Sequence, residues 1–250
     1  MIRVYTLGTG ASVSDAHRST TMLALDNGTD LLAVDCGADL YQRMLLVGLT
    51  DRPIRGLLLT HHHSDHIAGF PLLVQKLRLA KLQDSLTVWG PAETVEAARR
   101  LLEVFAPDHW KDRIELIWND INPSPDALFE IGDSWSVRAR WVDHVEPTVG
   151  LRFTDRGTGK AVAYSGDTAP CEAVTLLGTD ADLLIHEATG DFPGHSTAVG
   201  AADTAVRCRA RHLALVHAPP DSAARKADLD AARRIVPTVE YAVECGLYSL

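Results

Sequence analysis

Ile54-Arg55-Gly56-Leu57-Leu58-Leu59-Thr60-His61-His62-His63-Ser64-Asp65-His66 is the stretch on which the fold turns. Residues 54–59 form a short, largely apolar run, the pattern of a strand covered on both faces. The run ends abruptly in a cluster of imidazoles and carboxylates: His61, His63, Asp65 and His66. Alternate residues leaving a strand point the same way, so His61 and His63 can share one metal ion, with His62 turned to the opposite side. Asp65 and His66, on the turn into a following helix, aim elsewhere and suit a second ion. Nitrogen and carboxylate donors without a thiolate fit zinc, with manganese or iron as other occupants.

Outward from this run, strands and helices alternate. Upstream, residues 2–7 form a β run closed by Gly8-Thr9-Gly10. Residues 21–25 and 31–35 bracket Asn27-Gly28, a dipeptide that favours a tight hairpin turn. Leu40, Met44, Leu45 and Val47 recur at helical spacing. Downstream, one helix is expected over residues 66–79, a strand at 86–89, a helix over 91–105 opened by Pro91, and a strand at 114–118. Residues 127–163 alternate as β structure with turns at Gly132-Asp133 and Gly157-Thr158-Gly159. Strands at 181–185 and 213–216 then alternate with helices at 198–206 and 223–235. No short repeat or low-complexity linker interrupts this, so residues 1–250 read as a single α/β domain. Two β-rich stretches, each followed by helices, suggest two sheets packed together with helices outside.

Composition restricts the function. With 46% hydrophobic and 23% charged residues the chain is not a disordered one. Its formal charge of −9 offers no basic face of the kind that grips many phosphates. Two small cationic clusters, Lys76, Arg78 and Lys81, and Arg207, Arg209 and Arg211, read as solvated faces. Four cysteines with no CxxC pair suit reduced thiols and a cytoplasmic location. The first residues lack a charged region followed by a long apolar core, so no signal peptide is expected, and no stretch has the length of a membrane span.

The run from Thr60 to His66 resembles the HxHxDH signature of the metallo-β-lactamase superfamily, and the similarity extends over nearly the whole chain. The resemblance implies a four-layer αββα sandwich, two mixed β-sheets with helices on both outer faces. It also implies the remaining ligands, in chain order. Asp35 in Val34-Asp35-Cys36-Gly37 sits where the superfamily keeps a carboxylate behind the metal site, a partner that fixes ligand orientation. His144, after Trp141-Val142-Asp143, matches the third histidine of the first site. Asp167 in Ser165-Gly166-Asp167-Thr168 matches the bridging carboxylate, and His217 in Leu215-Val216-His217 matches the last histidine of the second site. Metal one would then take His61, His63, His144 and Asp167, and metal two would take Asp65, His66, Asp167 and His217. Two such ions, ~3.5–4 Å apart, can activate water and stabilise an in-line displacement.

Three further segments are similar to the tRNase Z branch: Leu7-Gly8-Thr9-Gly10-Ala11, the HEAT motif at His186-Glu187-Ala188-Thr189, and the HST motif at His195-Ser196-Thr197. By this resemblance His195 assists the leaving group, Glu187 orients it, and Asp65 holds metal two and helps orient the nucleophile. His186 receives no role, and His17, His109 and His212 are expected at the surface. Departures from the branch are also visible. Only 23 positions separate His144 from Asp167, enough for a hairpin but not for the tRNA-gripping arm that bacterial tRNase Z carries in this region. The segment matching the branch's PxKxRN stretch reads Ser14-Asp15-Ala16-His17-Arg18-Ser19, keeping only Arg18, and Glu187 and His195 stand closer together than is usual.

The expectation is a di-zinc phosphodiesterase acting on a small phosphodiester, cyclic nucleotide or RNA end, with tRNA itself in doubt and a homodimer implied by the resemblance. A carbon-centred hydrolase on the same fold (β-lactamase, lactonase or thioesterase) is the enzymatic alternative. A metal-stabilised binding module without turnover is the non-enzymatic one.

Overall fold

The structure is a computed structural model that describes residues 1–13, 15–49, 51–105 and 114–250; the expectation for His109 lies outside them. The chain opens with antiparallel strands β1 (Arg3–Gly8), β2 (Met22–Asp26) and β3 (Leu31–Val34). Instead of a two-residue turn at Asn27-Gly28, residues 27–30 join β2 to β3. The Asn27 side-chain oxygen accepts from the backbone N–H groups of Thr29 and Asp30 at 3.1 and 3.0 Å, and Gly28 takes the left-handed step at φ +92°. An Asx turn of this kind competes successfully with the tight hairpin.

Helix α1 (Leu40–Leu46) follows, started by Asp39, whose side chain accepts from the Gln42 N–H. Strand β4 (Ile54–Leu58) then runs parallel to β3, β5 (Ser85–Gly90) parallel to β4, and β6 (Glu115–Asp120) parallel to β5. Between β4 and β5 the single helix expected over residues 66–79 is two, α2 (Ser64–Ile67) and α3 (Phe70–Ala80). Gly69 separates them because the chain there presses on residues 36–38: its N–H donates to the Cys36 carbonyl at 2.8 Å, and a Cβ would lie 1.9 Å from the Ala38 oxygen. Helix α4 (Ala92–Phe105) connects β5 to β6.

The second half builds a matching sheet. Strands β7 (Ala127–Ile131), β8 (Trp135–Trp141), β9 (Val149–Asp155) and β10 (Ala161–Tyr164) pair antiparallel in sequence. After α5 (Glu172–Leu177) the pattern changes: β11 (Leu183–Glu187), α6 (Ala198–Cys208), β12 (Leu213–Val216), α7 (Ser222–Ala232) and β13 (Glu240–Tyr241) add parallel strands through helical crossovers. Strand β14 (Gly246–Ser249) crosses back to pair with β1. The sheet orders are β14-β1-β2-β3-β4-β5-β6 and β13-β12-β11-β10-β9-β8-β7. Both are mixed, as expected.

Three cores fix the layers. One, including Leu57, Phe70, Leu73 and Leu77, joins the first sheet to α1, α3 and α4. A middle core sets Val4, Leu25, Val34 and Leu58 against Trp135, Val137, Leu151 and Ile185 of the second sheet. The third packs Leu184 and Leu215 against the alanine-rich face of α6. Each buried Leu, Val or Phe stabilises the sandwich by roughly 1.5–3 kcal/mol. Because β4, β8, β10, β11 and β12 all end at the same edge of this sandwich, the loops that follow them face one another.

Candidate metal centre

At that edge the fold gathers every residue expected in the site. His61, His63 and His144 bring ligand atoms together, as do Asp65, His66 and His217, each trio within 4.8 Å, and Asp167 joins His61 and His66 in the same way. One oxygen of Asp167, Oδ2, lies 3.9 Å from His61, 3.5 Å from His66 and 3.2 Å from His217, so this carboxylate sits between the two trios.

The hydrogen bonds behind the rings decide which nitrogen faces inward. Asp35 takes the Nδ1 proton of His66 at 2.9 Å, and the Gly194 carbonyl takes that of His144 at 2.8 Å. Thr60 donates its hydroxyl to Asp35 and therefore accepts from His61 Nδ1 at 3.1 Å. Thr189 donates to the His217 carbonyl and accepts from His217 Nδ1 at 2.7 Å. Four imidazoles thus keep their protons on the outside and aim bare Nε2 lone pairs at the centre. His63 presents Nδ1 instead, 3.0 Å from His61 Nε2 and 3.4 Å from His144 Nε2.

Such converging lone pairs repel one another unless a cation lies between them. Further, His66 Nε2 and Asp167 Oδ1 are buried with no hydrogen-bond partner, an arrangement that costs about 1–3 kcal/mol per atom. The donor set, imidazole nitrogens and carboxylates, is that of zinc sites. The residues fit a metal centre.

Titration behaviour follows from the same crowding. Burial pushes the pKa of His61 well below the ordinary histidine value, and the charge of His66 lowers it further. Burial also opposes charge on His66, but the Asp167 and Asp35 carboxylates beside it outweigh that effect and hold its pKa well above the usual value. For Asp167 burial raises the pKa, yet His217 and His66 outweigh it and keep the carboxyl well below its normal range.

Glu187, at the end of β11, is wholly buried and accepts four N–H bonds: from Thr168 at 3.1 Å, Thr189 at 2.8 Å, Ser196 at 3.0 Å and His195 Nδ1 at 2.9 Å. It therefore ties the Asp167 loop to the His195 loop. The His195 ring lies flat against His217, with centroids 5.8 Å apart, and edge-on to His144 at 5.0 Å. Burial works against charge on His195, but the bond to Glu187 outweighs it and raises the pKa.

The backbone is shaped to this arrangement. Asp35 and His217 adopt left-handed φ values of 59° and 52°, conformations that non-glycine residues hold only when their surroundings enforce them. Gly37 lets the Asp65 carbonyl approach to where a Cβ would stand 1.6 Å away.

The β-lactamase superfamily domain matches residues 31–218. Ribonuclease Z of Mycolicibacterium gilvum is 32% identical over 247 residues, covering 88% of this chain and 85% of the relative. The chain belongs to the metallo-β-lactamase superfamily, in its ribonuclease Z-like branch. Among solved structures, the metallo-β-lactamase fold protein YhfI from Bacillus subtilis superposes with a TM-score of 0.84 at 21% identity, covering all of both chains. The short form of human tRNase Z gives 0.81 at 24% identity, covering 100% of this chain and 99% of that one. These two likenesses establish the shared αββα fold.

Within this ribonuclease Z-like chain, residues 156–160 join β9 to β10 as a short hairpin between His144 and Asp167. His62 points away from the centre as expected and lies 3.7 Å from Glu146. His17 and His212 are exposed, as expected. His186 is buried, with Nδ1 on the Glu187 carbonyl at 2.8 Å. The sequence reading missed four partners of the site: Thr60, Thr189, the Gly194 carbonyl, and Ser12, whose hydroxyl donates to Asp65 Oδ2 at 2.7 Å. Thr60 and Thr189 lie inside the quoted motifs. A backbone carbonyl and a loop serine carry no residue-type signal at all.

Proposed function

We infer that the centre holds two zinc ions and hydrolyses small, nucleotide-like or cyclic phosphodiesters; the ribonuclease Z-like branch makes the chain a metal-dependent phosphodiesterase. His61, His63, His144 and Asp167 would hold one ion, and Asp65, His66, Asp167 and His217 the other. When bound, the ions supply Lewis-acid activation of water and neutralise charge on phosphoryl oxygens. Asp65 orients the attacking water from its place beside His217, 3.2 Å away. His195 holds a proton at Nε2 for the departing oxygen, and Glu187, bound to Nδ1, keeps that proton in place and the ring aimed.

The observation that carries this reading is the Glu187–His195 pair standing against the rings of His144 and His217. A small substrate is supported by the short 156–160 hairpin and by Arg18, whose guanidinium is engaged by Asp15 and the Pro219 carbonyl rather than free for RNA. The shared middle core supports residues 1–250 acting as one domain. Four free cysteines support a cytoplasmic location, no described helix is long and apolar enough to cross a membrane, and a homodimer belongs to the same reading.

The test compares two diesters. Metal-replete protein should hydrolyse bis(p-nitrophenyl) phosphate, lose that activity on chelation and regain it with zinc. His195→Ala should cost about 10²–10⁴-fold in kcat on a diester with an alkoxide leaving group. It should cost far less on bis(p-nitrophenyl) phosphate, whose phenolate departs unaided. Equal losses on both substrates would remove His195 from the leaving-group role, and no hydrolysis of either by wild-type protein would end the phosphodiesterase reading.

A further inference from the structure

A cavity of about 420 Å³ lies where β6 and β8 end, at the edge of the sandwich that also carries the candidate metal centre, lined by Glu93, Asp120, Ile121, Asn122, Trp141 and Pro147, among others. Its walls come from the first turn of α4, the segment leaving β6, the last residue of β8 and the loop that carries His144. Alternate residues of β8, Trp135, Val137 and Ala139, enter the middle core. Trp141 continues that series at the end of β8, and there the residue is 37% exposed. The cavity is joined to the centre by short lengths of chain. Trp141 and Pro147 flank His144 at three residues on either side, and Glu146 reaches His62, which stands between two of the ligand histidines.

The chemistry of the walls restricts the occupant. Two carboxylates, Glu93 and Asp120, line the cavity, and no lysine, arginine or histidine does among the described residues, so a phosphate group would be repelled. A flat ring bearing hydrogen-bond donors would not: it can stack on Trp141 and donate to the carboxylates, while the Asn122 amide offers one donor and one acceptor face. The volume is at the low end for ligand pockets, about 300–1,000 Å³, which admits a nucleoside and not a folded RNA.

We propose that this cavity is a nucleobase subsite, in which Trp141 stacks the base of a nucleotide diester and Asp120 and Asn122 read an edge bearing an exocyclic amino group. Adenine, cytosine and guanine present such a group; uracil presents carbonyl oxygens instead. The proposal rests on the phosphodiesterase reading above and names its substrate class: the reacting phosphate at the metals, the base in the acidic cavity.

The experiment uses three diesters with one leaving group: adenosine 5′-(p-nitrophenyl phosphate), its uridine counterpart and methyl p-nitrophenyl phosphate. The zinc-loaded wild type should favour the adenosine diester over both others in kcat/KM. Trp141→Ala should lower the ratio of adenosine to methyl diester by about 5- to 150-fold, the loss expected for one base–aromatic stack, and Trp141→Phe should restore most of it. A merely structural role for Trp141 would move all three substrates together and leave that ratio unchanged, which overturns the proposal. So does a wild type that handles adenosine and uridine diesters alike. If the methyl diester is cleaved and the base makes no difference, the subsite alone is lost; if none of the three is cleaved, the phosphodiesterase reading falls as well.

Discussion

The two sheets supply the centre in opposite ways. After β4 a single turn presents His61, His63, Asp65 and His66 within six consecutive positions, braced from behind by Asp35 and Thr60. The second sheet has no such run: His144, Asp167, Glu187 and His217 arrive one at a time after or at the ends of β8, β10, β11 and β12. The first half is therefore a local structure, placed by one turn and its hydrogen bonds. The second half depends on the parallel register of β10, β11 and β12 and on Glu187, which ties two of the loops together. The same catalytic edge thus combines a part that is robust to small shifts between strands with one that is not.

The strongest way to break this contrast is to remove the second-half side chain that reaches into the first half. Asp167 faces His61 and His66 on one side and His217 on the other. Asp167→Ala should reduce bound zinc from two equivalents to less than one, measured by elemental analysis after gel filtration, and bring diester hydrolysis to background. A variant that kept one tightly held ion and activity within about tenfold of wild type would show that the halves work separately, without a bridging carboxylate.

A smaller effect should sharpen the contrast by touching only the local half. One Asp35 oxygen accepts from the Thr60 N–H at 2.8 Å and the other from His66 Nδ1 at 2.9 Å. Asp35→Asn replaces one acceptor with an NH₂ group, so either Thr60 or His66 must meet donor with donor. His66 then turns a protonated Nε2 toward the centre. Zinc affinity should fall by about 10–100-fold, read by competition with a chromophoric chelator, as for other partners that orient metal ligands. The loss should be larger at the binding step that His66 serves than at the one that His61 serves, because Asp35 touches His66 directly and His61 only through Thr60. Equal weakening of both would mean that Asp35 acts as much through Thr60 and His61 as through His66, since the first half lends ligands to both ions.

The same contrast explains what was legible in the sequence. The local half could be read directly, because candidate ligands on one turn are neighbours in sequence as well as in space, and their alternation even assigns His62 to the outside. His144, Asp167 and His217 carry no such proximity; the family resemblance and their order after β segments placed them, while their convergence depends on a sheet register that no local pattern encodes. The helix expected over 66–79 is two pieces because the break at Gly69 is imposed by the carbonyls of Cys36 and Ala38, residues far away in sequence. Strands β13 and β14 escaped for a related reason. They are two and four residues long, and β14 exists through its pairing with β1 at the other end of the chain.

The smallest expected effect tests a polar contact from a loop outside both halves. Ser12 donates to Asp65 Oδ2, the oxygen that also lies 3.2 Å from His217 Nε2, so its hydroxyl acts where a first-half ligand meets a second-half one. The loop is held in place from the C-terminal segment: Glu244 accepts from the N–H groups of Thr9 at 3.0 Å and Ser19 at 2.8 Å, and pairs with Arg43. Ser12 itself is exposed, so water can replace much of what the hydroxyl provides. Ser12→Ala should therefore weaken zinc binding by only about 2- to 12-fold, corresponding to roughly 0.5–1.5 kcal/mol for one hydrogen bond, and Ser12→Thr should retain most of it. The effect should appear at the step that Asp35→Asn weakens more, since Asp65 and His66 are assigned to the same ion. An effect at the other step would reassign Asp65 and with it the division of ligands between the two ions.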